Sequence, residues 1–202
     1  MKKIQLLLPA LVLLSFTGTK NPITDQERKT AIDLLSQTEQ GVLDAVKGLS
    51  DAQLNFKAAP DRWSVEDNAK HIAESEMSLW QMVENQLKQP ANPEKRSDIK
   101  VTDDQVVQMV ENRTRKVKTL PNLEPQNTPF KTLDEALQSF RENREKLINY
   151  VKTTDDDLRG HVLTLPYGSF DAYQMILFIA AHSNRHTQQI GEVKADPGFP
   201  KN

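Results

Sequence analysis

The stretch AAHSNRHTQQIGEV, residues 180–193, places His182 and His186 one helical turn apart in a chain with four histidines and no cysteine. Two imidazoles at i and i+4 project from one helix face at a separation that a single metal ion can bridge. Alternating steps of three and four through this segment read Ala172, Met175, Ile179, His182, His186, Gln189 and Val193. Both histidines therefore lie on a core-facing stripe. On spacing alone, a pair of hydrogen-bonded core histidines is the commoner explanation.

His71 changes the balance. It stands seven residues into a second helical pattern that opens at Ser64, roughly 10 Å along it at 1.5 Å per residue. If that helix and the last one are antiparallel neighbours, His71 lies level with His182 and His186. Its own stripe reads Ser64, Asn68, His71, Ser75, Ser78, Met82, small polar residues that leave room for an ion, water and a ligand. The competing reading leaves His71 half-exposed beside an apolar stripe of Val65, Ile72, Leu79 and Val83. Three histidines able to converge favour the metal.

Three neutral imidazoles leave a coordination position open, as in a catalytic rather than a structural zinc site, and water there becomes a nucleophile near neutral pH. Glu74, one turn beyond His71, is the carboxylate placed to act as general base, although a solvated helix glutamate is the plainer reading. Gln189 either hydrogen-bonds a ligand or satisfies the bundle end, and Trp63 packs or walls a pocket. His161, in the loop DDDLRGHVLTLPYG, has no partner at helical spacing and reads as a surface histidine. No Gly-rich phosphate loop, G-x-S-x-G elbow or H-E-x-x-H run is present.

Helices must position these groups. Apolar residues recur at spacings of three and four between prolines at 60, 90–93, 121–129, 166 and 197–200. The pattern predicts helices over about 24–49, 64–89, 102–118, 132–152 and 169–195. Ala31, Leu35, Thr38, Val42, Ala45 and Leu49 form the inward stripe of the first. Val106, Val110 and Val117 line the short third one; Leu133, Leu137, Phe140, Leu147 and Val151 line the fourth. SVED at 64–67 has nearly the capping-box pattern. HVLTLPYGSF alternates briefly, but Pro166 and Gly168 break it, and no strand is expected. The fold class is all-α: a four-helix bundle with an extra short helix in the long connection between the second and fourth helical patterns.

MKKIQLLLPALVLLSFTGTK has a basic start, an apolar run from Leu6 to Phe16 and small polar residues after it, the layout of a signal peptide. The expectation is export, to the periplasm or beyond, with residues 1–20 removed and 21–202 forming one domain. The run is too short for a stable membrane anchor. Cleavage there takes the formal charge from −2 to −5 by removing Lys2, Lys3 and Lys20. Without a basic stripe carrying interleaved aromatics, nucleic acid is not an expected partner. A small-molecule substrate or ligand is, and the oligomeric state stays open, a homodimer included.

AAPDRWSVEDNAKHIAESE resembles the segment of DinB-like proteins in which a Trp-Ser pair opens the helix bearing the first histidine. GSFDAYQMILFIAAHSNRHTQQIGEV is similar to their last helix, with H-x-x-x-H followed by glutamine, and SFRENREKLINYVKTTDDDLRG fits between. The resemblance spans nearly all of residues 24–195. It implies a bundle in up-down-down-up order and a metal, zinc or nickel, held by His71, His182 and His186. It also implies one of two chemistries: metal-dependent hydrolysis, or S-transfer and isomerisation with a low-molecular-weight thiol. Those thiols are mainly cytosolic, and the apparent export signal argues against them here. Metal-assisted hydrolysis of a small ester or amide is the leading expectation, followed by a non-catalytic metal- or ligand-binding bundle.

Overall fold

Every helix that builds the bundle opens on the same device. A hydroxyl or carboxylate at the N-cap accepts the third amide of the helix, and the third side chain reaches back to the N-cap amide, satisfying donors that the helix leaves unpaired. Thr24 and Glu27 do this for α1 (Asp25–Val46), and Ser64 and Asp67 for α3 (Val65–Leu87), with the single turn α2 (Asp51–Leu54) between them. Thr102 and Gln105 open α4 (Asp103–Glu111), Thr132 and Glu135 open α5 (Leu133–Thr153), and Asp171 and Gln174 open α6 (Ala172–Lys194). The computed structural model describes residues 22–114 and 117–201. The signal-like segment at 1–20 lies outside the described residues.

Contacts between helices fix their directions. Arg28 near the start of α1 donates to the carbonyls of Val151 and Thr154 at the end of α5, so these two are antiparallel. The Tyr173 hydroxyl donates to the Glu27 carbonyl and Lys194 to the Ala45 carbonyl, which sets α1 and α6 parallel. Lys70 reaches the Lys131 carbonyl and Trp80 packs on Tyr150, so α3 and α5 run together, while His71 meets His186 and α3 opposes α6. The order is up-down-down-up, with α4 lying against α6 from the crossover. Among the described residues, no helix is long and apolar enough to cross a membrane.

The core is divided by a polar layer. Leu35, Leu147, Met175 and Ile179 belong to one apolar cluster, and Val42, Ile72, Phe140 and Ile190 to another. Between them lies Arg144, fully buried, its guanidinium forked onto Glu76 by two 2.7 Å bonds. The same guanidinium donates to the Leu35 carbonyl (2.6 Å), Thr38 Oγ1 (2.8 Å) and Ser183 Oγ (2.9 Å). One side chain thus ties α1, α3, α5 and α6 at a single level.

Three expectations need correction. The short helix ends at Glu111, not near residue 118, and Val117 is 73% exposed, because a turn at Asn112–Thr114 ends the periodic run. HVLTLPYGSF is a hairpin, β1 (Val162–Leu165) against β2 (Gly168–Asp171), with Leu163 opposite Phe170 and Leu165 opposite Gly168. Gly168 at φ +145° closes its turn, and α6 starts three residues later than the periodicity suggests, at the Asp171 cap. His161 is buried, not exposed: its ring nitrogens lie 2.7 Å from the Asp157 carbonyl and 3.1 Å from that of Gln89, joining the hairpin to the end of α3.

Candidate metal centre

The antiparallel pairing of α3 with α6 brings His71, early in one helix, level with His182 and His186, late in the other. One ring nitrogen from each lies within 4.8 Å of one from each of the others, and among the described residues they form the one such group of three metal-ligating types. Ring centroids are 4.4 Å apart for His71 and His186, 4.5 Å for His182 and His186, and 5.2 Å for His71 and His182. An ion bonded to nitrogen at about 2.0–2.1 Å reaches all three after small side-chain shifts.

The outer nitrogens are already engaged. His71 Nδ1 lies 2.8 Å from the Leu123 carbonyl, which can only accept, so the proton is on Nδ1 and Nε2 keeps its lone pair. Ser75 Oγ stands 3.3 Å from that Nε2. His186 Nδ1 faces Asn68 Oδ1 at 3.2 Å, and Asn68 Nδ2 is held by the Ser64 carbonyl at 2.8 Å. The Gln189 carboxamide is oriented so that its nitrogen donates to His186 Nδ1 (2.5 Å) and Asn68 Oδ1 (2.8 Å) and its oxygen accepts from Arg113 (2.8 Å). A carbonyl oxygen on the far side of an imidazole, as Leu123 is to His71, orients the ring of a metal site and raises its basicity.

Burial keeps the imidazoles neutral, the form that binds metal. It lowers the His71 pKa to about 4, against the partial opposing effect of the Leu123 bond. Burial also holds His182 and His186 well below the ordinary value, reinforced at His182 by His71 and at His186 by both other histidines. Trp63, just before α3, packs on His71 (centroids 4.8 Å apart) and His186 (5.8 Å), so it walls the centre as its position suggests. His182 is the least buried of the three and marks the open side. Glu74 is partly buried one turn after His71. Its Oε1 accepts weakly from Ser78 Oγ (3.4 Å), and its buried Oε2 has no hydrogen-bond partner.

A cleft of about 690 Å³ lies at the opposite end of the bundle. Of its carboxylates, Glu27 and Asp103 are taken up by Arg159 together with the buried Asp171 behind them, and Asp157 accepts from the Gly160 amide (2.8 Å); the Arg159 guanidinium also covers the Tyr173 ring. That arrangement ties the starts of α1, α4 and α6 together. The sequence shows the three histidines but not their supports. The Leu123 carbonyl and Arg113 come from the crossover, where nothing periodic marks them, whereas Asn68 stands openly on the His71 stripe.

A four-helix bundle with this crossing order and three imidazoles at one level defines a class. The chain belongs to the DinB superfamily, whose family model matches residues 34–190. It is 26% identical over 150 residues to the uncharacterized protein YuaE of Bacillus subtilis (strain 168), covering 74% of this chain and 88% of that protein. The fold is also that of YfiT from Bacillus subtilis, described as a probable metal-dependent hydrolase with an unusual four-helix bundle topology. The TM-score is 0.60 at 16% identity, covering 88% of this chain and 91% of that one.

Proposed function

We propose that this protein is a metal-dependent hydrolase of small esters or amides, with one divalent ion, zinc or nickel, held by His71, His182 and His186. The observation that carries the reading is the neutral three-imidazole set; on the same helix as His71, one turn on, Glu74 keeps a buried carboxylate oxygen with no partner. An unpaired buried oxygen is costly, and a polar group of a bound substrate or its attacking water would satisfy Glu74 Oε2. A bound ion supplies Lewis acidity and lowers the pKa of coordinated water. The chain's own groups do the rest. Leu123 and Asn68 fix the rings, Trp63 excludes bulk water from one wall, and Glu74 receives the proton at Oε2 and passes it to the leaving group. The YfiT description supports the reaction class, and the N-terminal segment supports export.

The test is elemental analysis of protein purified without a metal-binding tag, followed by an ester, amide and lactone screen. One zinc or nickel per chain, absent from His182→Ala, is expected. In Glu74→Gln the metal should stay while turnover falls by about 10²–10⁴, the usual contribution of a general base. Metal binding with no turnover of any substrate class would instead make the protein a metal-binding bundle without catalysis.

A further inference from the structure

The open side of the centre continues into a row of aromatic rings. Phe178, one turn before His182 on α6, lies nearly parallel to the imidazole (11°, centroids 6.3 Å apart). Tyr167 at the hairpin turn lies nearly parallel to Phe178 (20°, 5.8 Å). Tyr167 is 54% exposed, so the row runs from the part-buried imidazole to solvent.

The helix packed against α6 on the histidine side is α3. From His71 the stripe continues through Ser75 and Ser78 to Met82, about 16 Å along the helix. Its exposure rises on the way: Ser75 is buried, Ser78 partly so, and Met82 is 39% exposed. Because α3 and α6 are antiparallel, the stripe and the row of rings leave the histidines in the same direction. At that end Met82 and Gln86 line a cavity of about 390 Å³ with Leu163 and Leu165 of the hairpin. A surface tyrosine and an exposed methionine add little to a core, but they suit a flat apolar guest: ring faces stack, and thioether sulfur packs on ring edges.

We infer that the seam from His182 over Phe178 to Tyr167 is the substrate's aromatic subsite, so the protein acts on aryl-bearing esters or amides. The inference rests on the metal reading above. The scissile carbonyl would lie at the histidines beside Glu74 and Ser78, with the ring between Phe178, Tyr167 and Met82.

The experiment measures binding, not turnover. Zinc-loaded protein is titrated by calorimetry with acetohydroxamate and with benzohydroxamate, two chelators that differ by the ring. Benzohydroxamate should bind roughly 10- to 100-fold more tightly, the effect of burying one ring. The preference should shrink toward unity in Phe178→Ala and fall severalfold in Tyr167→Ser, a substitution at an exposed turn that does not threaten folding. Equal affinities in the unsubstituted protein, or an undiminished preference in Tyr167→Ser and Phe178→Ala, overturns the subsite and leaves the metal centre standing. Failure to take up zinc, measured on the same samples, overturns both.

Discussion

Replacing Arg144 by leucine tests what the polar layer does. The substitution leaves Glu76, 2% exposed, without the two 2.7 Å bonds that neutralise it. Removing one partner of a buried ion pair costs about 3–5 kcal/mol, because the other charge stays in a dry interior. At about 2–4 °C per kcal/mol for a chain of this size, the melting temperature should fall by roughly 6–20 °C. Removing both charges is a different perturbation. Thr38 Oγ1 retains the Leu34 carbonyl (2.9 Å) and Ser183 Oγ the Ile179 carbonyl (3.3 Å), so neither hydroxyl is orphaned. Glu76→Leu with Arg144→Leu should therefore recover most of the loss, to within about 2 kcal/mol of the parent. Urea unfolding of the two single variants and the double one closes the cycle. A single variant that loses less than about 1 kcal/mol, or a double variant as unstable as the singles, would falsify this reasoning.

Chelation should destabilise the protein independently of any activity. At free metal 100-fold above Kd the bound ion adds about 2.7 kcal/mol, so stripping it should lower the melting temperature by roughly 5–11 °C; an unchanged melt after verified removal argues against the site. Protonation of the metal-free protein has a definite sign. His71 titrates near 4 when folded and 6.5 when unfolded, so the unfolded chain binds more protons between these values. Its contribution is complete above pH 6.5 and is lost as pH falls toward 4; about 2 kcal/mol should disappear between pH 7.5 and 5, with His182 and His186 acting in the same direction. Urea midpoints that stay flat over that interval would contradict neutral burial. Gly168→Ala should cost about 1–3 kcal/mol, since φ +145° is strained for any residue with a Cβ and the added carbon meets Phe170 at 3.4 Å. Denaturation of that variant at the parent's midpoint would refute the turn argument.

Helix starts were the most legible part of the fold. Thr24, Ser64, Thr102 and Thr132, where the periodic patterns begin, are all N-caps, because capping is local chemistry written within four residues. The hairpin was not legible. Four-residue strands give too few alternations to outweigh a proline, and their pairing is completed by packing on α6. The three histidines and their spacing were readable, but the groups that hold them were only partly so. Arg144 left a trace in retrospect. The α5 stripe steps from Phe140 to Leu147 across a position where an apolar residue is expected, and the arginine there is buried with partners on three other helices. No single-helix pattern identifies partners so distant in sequence.

The antiparallel seam of α3 and α6 also has a topological consequence. Asn68 and His186 touch across 118 positions of sequence. An ion shared by His71 and His186 would therefore close a loop of roughly 115 residues, a constraint comparable to a disulfide over the same span and worth about 5 kcal/mol on the chain-entropy model. Since there is no cysteine to supply such a link, metal capture would act as a reversible cross-link. It could form only after the last helix had docked, and metal availability would then set how long the folded chain persists.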